Sequence, residues 1–249
     1  MNPVTAAAEA ESSEILQYLK TKMRVIIVAG ISAGALLIGV GSRVAMLILR
    51  VTSPDSVHGV ESDDGFTIGE VTLGGTYNLL VLGAAVGIIG AIAYMCVAPW
   101  LIGPTWFRRL TTGLASAAVV GSMLVHADGI DFTVLKPTWL AIGLFVALPG
   151  LFGTLIGAFV DAVQRPDSWT ARGRRRWILP LVGVVCFPAT LFFLVLALIL
   201  LVVWVVVKNA GLVRLVRRIP AHTLVIRSLW LLIAIAGLVA LVADITELT

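Results

Sequence analysis

The sequence predicts an all-α protein, a polytopic transmembrane helical bundle. Hydrophobic residues make up 59% of the 249 residues and charged residues 13%, whereas a soluble domain carries roughly 25% charged residues. The apolar residues fall into six long segments joined by short connections. We therefore assign residues 25–249 to a single transmembrane domain.

The first 24 residues form a separate polar segment in this interpretation. Acidic residues come first and basic residues follow, with leucine and isoleucine at helical spacing between them. Residues 1–24 are predicted to be a cytoplasmic amphipathic helix.

Six segments approach the length of about 20 apolar residues that crosses about 30 Å of hydrocarbon. The third is short and contains several glycine, serine and threonine residues. We keep it as a segment, because without it the basic stretch Arg165–Arg176 would lie on the outer side of the membrane. The predicted segments are Val25–Leu49, Leu73–Ala98, Leu110–His126, Thr138–Val160, Trp177–Val207 and Leu224–Ile245.

The charges between the segments are sorted by sign, which predicts the orientation. The first two outer connections hold Arg50 and Lys136 together with half of the 14 acidic residues. A cytoplasmic N-terminus puts most basic residues inside. These are Lys20, Lys22, Arg24, Arg108, Arg109, Arg165, Arg172, Arg174, Arg175 and Arg176.

The fifth segment does not fit this charge pattern. As a single crossing it would carry Lys208, Arg214, Arg217 and Arg218 to the outside. Pro180 and Pro188 permit a kink or a re-entrant hairpin, which would return the basic residues to the inside. The sequence slightly favours six crossings over five and a hairpin, because each hairpin arm would be shorter than a full span.

Pairs of glycines four residues apart predict where helices pack closely. A path for a substrate along the glycines is the alternative interpretation. The pairs are Gly30 with Gly34, Gly83 with Gly87, and Gly153 with Gly157.

Motifs of catalysis and cofactor binding are absent from the sequence. It contains no phosphate-binding loop, no HExxH motif and no cysteine pair at zinc spacing. Cys96 and Cys186 lie in apolar stretches and are predicted to be buried thiols. We expect no catalytic residue, no cofactor and no metal.

The most unusual polar residue is Arg43, which lies within the first apolar segment. An arginine in a membrane helix extends to the interface, pairs with a carboxylate or contacts a substrate. We expect it to pair with Glu70, while Asn78 and His126 are candidates for the same outer site.

Two further stretches are candidates for contacts at the membrane surface. The glycine-rich stretch Gly65–Thr76 is predicted to fold back as a packed cap or as a gate over a cavity. Because basic residues beside a membrane attract anionic lipids, a second group predicts a lipid anchor. That group is Arg172, Arg174, Arg175 and Arg176.

The run Ser42–Leu47, the stretch Phe66–Thr76 and the glycine-rich second segment carry a resemblance. Together they resemble a group of small multi-pass membrane proteins of bacteria to which no activity is assigned. The resemblance covers roughly the first two-thirds of the chain and implies a bacterial plasma-membrane helical bundle. No functional residue is carried over from it.

Three classes of function remain open. A structural or accessory protein that acts through a lipid, a membrane-protein partner or a second copy ranks first. A small transporter or channel ranks second, because ionisable residues within the spans are scarce. A membrane enzyme that acts on lipid ranks third. Nucleic acid is not an expected partner, since the basic residues cluster beside the apolar segments.

Overall fold

The computed structural model describes residues 3–57, 59–60, 70–127, 129–168, 170, 172–173, 175–188, 190–209 and 222–248. Helices dominate this part of the chain and no strand occurs in it, which confirms the predicted fold class. Helices in four regions are long and apolar enough to cross a membrane. These regions are Ser12–Thr52, Leu73–Trp100, Thr138–Gln164 and Thr223–Leu248.

The first long helix has three consecutive parts. α1 (Pro3–Ala33) and α2 (Gly41–Thr52) are joined without a break by a π-helical turn at Gly34–Val40. No helix end separates the polar residues 1–24 from the apolar residues that follow. Because π turns have a different hydrogen-bond spacing from an α-helix, the direction of side chains beyond Gly41 does not follow regular helical periodicity.

The next helices occupy the second, third and fourth predicted segments. α3 is capped by Thr72, whose side chain accepts a 3.0 Å hydrogen bond from the backbone N–H of Gly75. The third predicted segment, the shortest, forms a 20-residue helix, which spans about 30 Å. The elements are α3 (Leu73–Val97), α4 (Thr105–Leu124), the short α5 (Ile130–Val134) and α6 (Thr138–Gln164).

Two apolar clusters define the two ends of the bundle. One contains Val25, Phe152 and Val160, and we call its side the basic end, because Arg24 and Arg109 lie there. The other contains Leu49, Val125 and Leu135, and we call its side the acidic end, because Asp55, Glu70 and Asp131 lie there. The first long helix, α3, α4 and α6 run alternately between these two ends.

The fifth predicted segment is two helices, α7 (Arg175–Cys186) and α8 (Thr190–Asn209). Pro188 has no N–H to donate and disfavours a helical conformation at the residue before it. The helix therefore stops at Cys186. The carbonyl of Phe187 then accepts hydrogen bonds from the backbone N–H of Thr190 at 2.9 Å and from its hydroxyl at 2.6 Å, which start α8.

α7 and α8 form a re-entrant hairpin. α7 starts at the basic end, and its last carbonyl, that of Cys186, accepts a 2.9 Å hydrogen bond from the Tyr77 hydroxyl near the start of α3. Leu194 and Ala197 of α8 are buried in one cluster with Ile26 and Ile88, back towards the basic end. Both arms pack on α1 rather than on α2. The chain thus reverses direction at Pro188.

This arrangement corrects the expectation of six crossings. We expected two short arms, but the turn comes after only 12 residues of α7 and leaves 20 residues for α8. A 20-residue helix is about 30 Å long, so the second arm can return across the whole apolar layer. Cys96 and Cys186 are exposed rather than buried, since both lie on the apolar outer surface of the bundle.

The last helix, α9 (His222–Leu248), starts at the basic end and finishes at the acidic end. Near its start, the Arg227 Nε donates a 3.0 Å hydrogen bond to the Trp100 carbonyl, just after α3. Further along, Leu241 is buried in the cluster with Leu49 and Val125. The first long helix therefore begins at the basic end, and α9 finishes at the opposite, acidic end.

Candidate functional site

Glycines hold α3 directly against the first long helix. A Cβ atom built on Gly30 would lie 2.9 Å from the Gly87 carbonyl oxygen, and one on Gly83 would lie 2.6 Å from the Gly34 oxygen. Real Cβ atoms essentially never come this close to backbone atoms. The glycine pair of the first helix therefore faces the glycine pair of α3, and no side chain separates the two backbones.

The third glycine pair lies between α6 and its neighbours. A Cβ atom on Gly153 would lie 2.9 Å from the Thr112 carbonyl oxygen of α4. One on Gly157 would lie 2.7 Å from the Tyr94 hydroxyl of α3. These contacts bring α4 close to α6 and leave room for the Tyr94 ring at the basic end.

A groove of about 520 Å³ runs along the other side of α3. α3 and α2 form one wall, α9 forms the opposite wall, and α4 and α6 lie behind. Its lining residues on α3 extend from Leu79 to Val97, which corresponds to about 27 Å along the helix axis. The groove is thus nearly as long as the hydrocarbon layer is thick, about 30 Å.

The groove opens sideways, towards the surface that faces lipid in a bilayer. α9 packs on α4 rather than on α3, which leaves a gap between α3 and α9. The residues that line this gap are partly exposed: Leu82 is 50% exposed, Ile89 46% and Ile233 42%. Phe152 and Ile156 at the back of the groove are buried.

Charged residues line only the acidic end of the groove. Arg43 and Arg50 of α2, Glu70 before α3, and Asp131 of α5 all contribute to its lining there. The remainder is apolar apart from hydroxyl groups such as those of Thr112 and Tyr94. An elongated apolar site with ionised groups at one end matches the division of an amphipathic molecule into tail and head.

Arg43 is held against the first turn of α3. Its Nε donates to the Thr76 hydroxyl at 3.1 Å, and one terminal nitrogen donates to the Thr72 carbonyl at 3.4 Å. The expected ion pair with Glu70 is not formed; Arg43 donates instead to Thr76 of α3 and to Thr72, the residue that caps α3. Arg43 and Glu70 nevertheless line the same end of the groove.

The other candidates for the outer site lie elsewhere. Asn78 and His126 are exposed, and neither lines the groove. Of the glycine-rich stretch, Glu70 and Val71 line the groove and Thr72 caps α3, whereas residues 61–69 lie outside the described part of the chain.

At the basic end, an ion pair joins α4 to α6. Arg109 donates a 3.4 Å hydrogen bond to the Asp161 carboxylate, with both side chains partly exposed. Arg172 is exposed at the same end. Arg174 lies outside the described residues, and Arg175 and Arg176 form the first turn of α7 with side chains that are not described. Among the residues described, no group of His, Cys, Asp and Glu residues is arranged to hold a metal ion.

The groove itself was not predicted from the sequence. Its walls come from five helices distant in the chain, and its apolar residues resemble any others that face lipid. The one signal available was the position of Arg43 with Arg50 seven residues later, which indicates a charged end. The chain matches no protein-family model, no curated protein sequence and no solved structure.

Proposed function

We propose that this is an integral membrane protein that binds a membrane lipid in the lateral groove. The hydrocarbon chain lies along α3, and the headgroup lies beside Arg43 and Arg50. The observation that carries this proposal is the distribution of polarity: a groove with apolar lining along about 27 Å of α3 has charged lining residues at one end only.

A lipid accounts for both parts of the site. The apolar side chains along the groove pack closely against the hydrocarbon chain of the lipid, in place of its contacts with other lipids. The few polar groups at one end fix the orientation of the bound molecule. The sideways opening between α3 and α9 gives access from the bilayer.

The alternative of a transporter for polar solutes fits this groove less well. A polar solute or an ion needs polar partners along its whole path. The lining from Leu79 to Ile89 on α3 offers it apolar side chains instead. An accessory role exercised through a bound lipid is therefore the function that the geometry favours.

We further propose a cytoplasmic basic end in a bacterial plasma membrane. The hairpin supports this orientation, because α8 ends and α9 begins at the basic end. The connection between them, with Arg214, Arg217 and Arg218, then follows the same sorting of charge as the other connections. Exposed Arg172 and its basic neighbours would contact anionic headgroups of the inner leaflet.

Native mass spectrometry tests the lipid-binding proposal. The protein is extracted in mild detergent, and the mass of bound lipid is measured for the wild type and two matched variants. Ile89→Trp puts the bulky indole ring of tryptophan into the groove. Ile235→Trp makes the same change on α9, outside the groove. The two isoleucines are almost equally exposed, at 46% and 47%.

We expect the wild type and Ile235→Trp to retain a lipid, and Ile89→Trp to lose most of it. A wild-type protein that carries no lipid contradicts the proposal. Equal lipid retention by the two tryptophan variants contradicts it as well, because lipid would then bind outside the groove.

A further inference from the structure

The charged end of the groove carries both signs of charge. Its lining includes two arginines, Arg43 and Arg50, and two carboxylates, Glu70 and Asp131. An anionic headgroup would satisfy the arginines and bring negative charge close to the carboxylates. A headgroup with a phosphate and an amine complements all four residues.

Arg43 is positioned to hold the phosphate. Its two hydrogen bonds to Thr76 and Thr72 fix the guanidinium at the end of the groove. A guanidinium carries five N–H donors, so Arg43 can also donate to a phosphate oxygen. Arg50 is exposed and lies seven residues further along the same helix, which is about 10 Å nearer the membrane surface.

Glu70 is the carboxylate best placed for the amine. It is exposed and lines the groove beside the first turn of α3, to which Arg43 is bonded. Asp131 is 5% exposed and already has an interaction within the protein. A primary ammonium group offers three N–H donors to a carboxylate, whereas a quaternary ammonium offers none.

From this charge pattern, we infer that the groove selects a zwitterionic phospholipid with a primary amine, the phosphoethanolamine class. Arg43 binds the phosphate and Glu70 binds the ammonium group. This inference rests on the proposed function, because it concerns the headgroup of the lipid whose chain occupies the groove.

The test is a lipid titration followed by native mass spectrometry. The delipidated full-length protein is titrated with phosphatidylethanolamine, phosphatidylcholine and phosphatidylglycerol that have identical acyl chains. We expect phosphatidylethanolamine to bind about tenfold more tightly than the other two, the size of one charge-assisted hydrogen bond.

Two matched glutamate variants assign this preference to a residue. Glu70→Gln should abolish the preference for phosphatidylethanolamine over phosphatidylglycerol. Glu247→Gln, an equally conservative change at an exposed position of the same end, should retain it. Arg43→Gln should weaken the binding of all three lipids, because each carries a phosphate.

The outcomes separate this inference from the proposed function. Equal binding of the three lipids by the wild type overturns the headgroup assignment alone. A preference that survives Glu70→Gln also overturns it. If none of the lipids binds in the groove, the proposed function fails and the headgroup assignment fails with it.

Discussion

A single methyl group added at Gly34 tests the close packing of the first helix against α3. In Gly34→Ala, the new Cβ atom would lie 2.7 Å from the Gly87 Cα atom and 2.8 Å from the Gly83 carbonyl carbon. Ordinary van der Waals contact begins at 3.4 Å. These two atoms and the Gly83 carbonyl oxygen, which the Cβ atom would overlap, all belong to the backbone, so no side-chain rotation can relieve the overlap.

The Gly83 carbonyl oxygen lies closer still, so the helices must move apart by more than 0.7 Å, the difference between 3.4 Å and 2.7 Å. Overpacking of a close interface by one methyl group costs about 1–3 kcal/mol. Because the obstructing atoms are backbone, the cost lies in the upper part of that range, about 2–3 kcal/mol. Alanine regains about 1 kcal/mol from helix propensity, which leaves a net loss of about 1–2 kcal/mol. For a chain of this size, 1 kcal/mol shifts Tm by about 2–4 °C.

The measurement is thermal unfolding in detergent, with Gly143→Ala as the matched control. Gly143 lies exposed in the second turn of α6, and a Cβ atom there has nothing within 4 Å. We expect Gly34→Ala to lower Tm by about 2–8 °C, and Gly143→Ala to leave it unchanged or raise it. A Gly34→Ala protein as stable as the control would refute the backbone-to-backbone contact.

Three further predictions concern Arg43, the hairpin and its sidedness. In double-mutant cycles of unfolding free energy, Arg43→Ala should couple to Thr76→Ala by more than about 0.5 kcal/mol and to Glu70→Ala by close to zero. A larger coupling to Glu70 would show that Arg43 pairs with Glu70 after all. Tyr77→Phe removes the hydrogen bond to Cys186, so it should cost about 0.5–1.5 kcal/mol and speed amide exchange at the hairpin tip; unchanged exchange there would contradict that contact. In a cysteine-free background, labels at Ser168 and Lys208 should react from the same side of the membrane, and labels at Ser56 and Glu247 from the other. Reaction of Lys208→Cys from the side of Glu247→Cys would mean a sixth crossing.

Hydropathy predicted the helices because the apolar layer imposes a minimum length on each. All six apolar segments are helical, and their limits differ by a few residues at most ends. The first helix is an exception. α1 starts at Pro3 and continues through residue 24, where the sequence changes from polar to apolar. Glycine spacing also indicated close contacts, because only a missing side chain lets two backbones approach so closely.

The features that the sequence did not predict depend on contacts between distant residues. Pro188 permits either a kink or a reversal of the chain. The reversal is stabilised by the packing of α8 on α1, which the sequence does not reveal. The pairing of Arg43 depends on the π turn at Gly34–Val40, which changes the direction of the side chains after it. The groove depends on a gap between α3 and α9, whereas hydropathy describes each helix separately.

The central claim is that a lipid occupies the groove with its headgroup at the acidic end. Electron cryomicroscopy of the protein in lipid nanodiscs tests it most directly. We predict an elongated density between α3 and α9 that follows the lining from Arg43 towards Tyr94, with its widest part beside Arg43 and Glu70. Direct packing of α9 on α3, with no density between them, would contradict the claim.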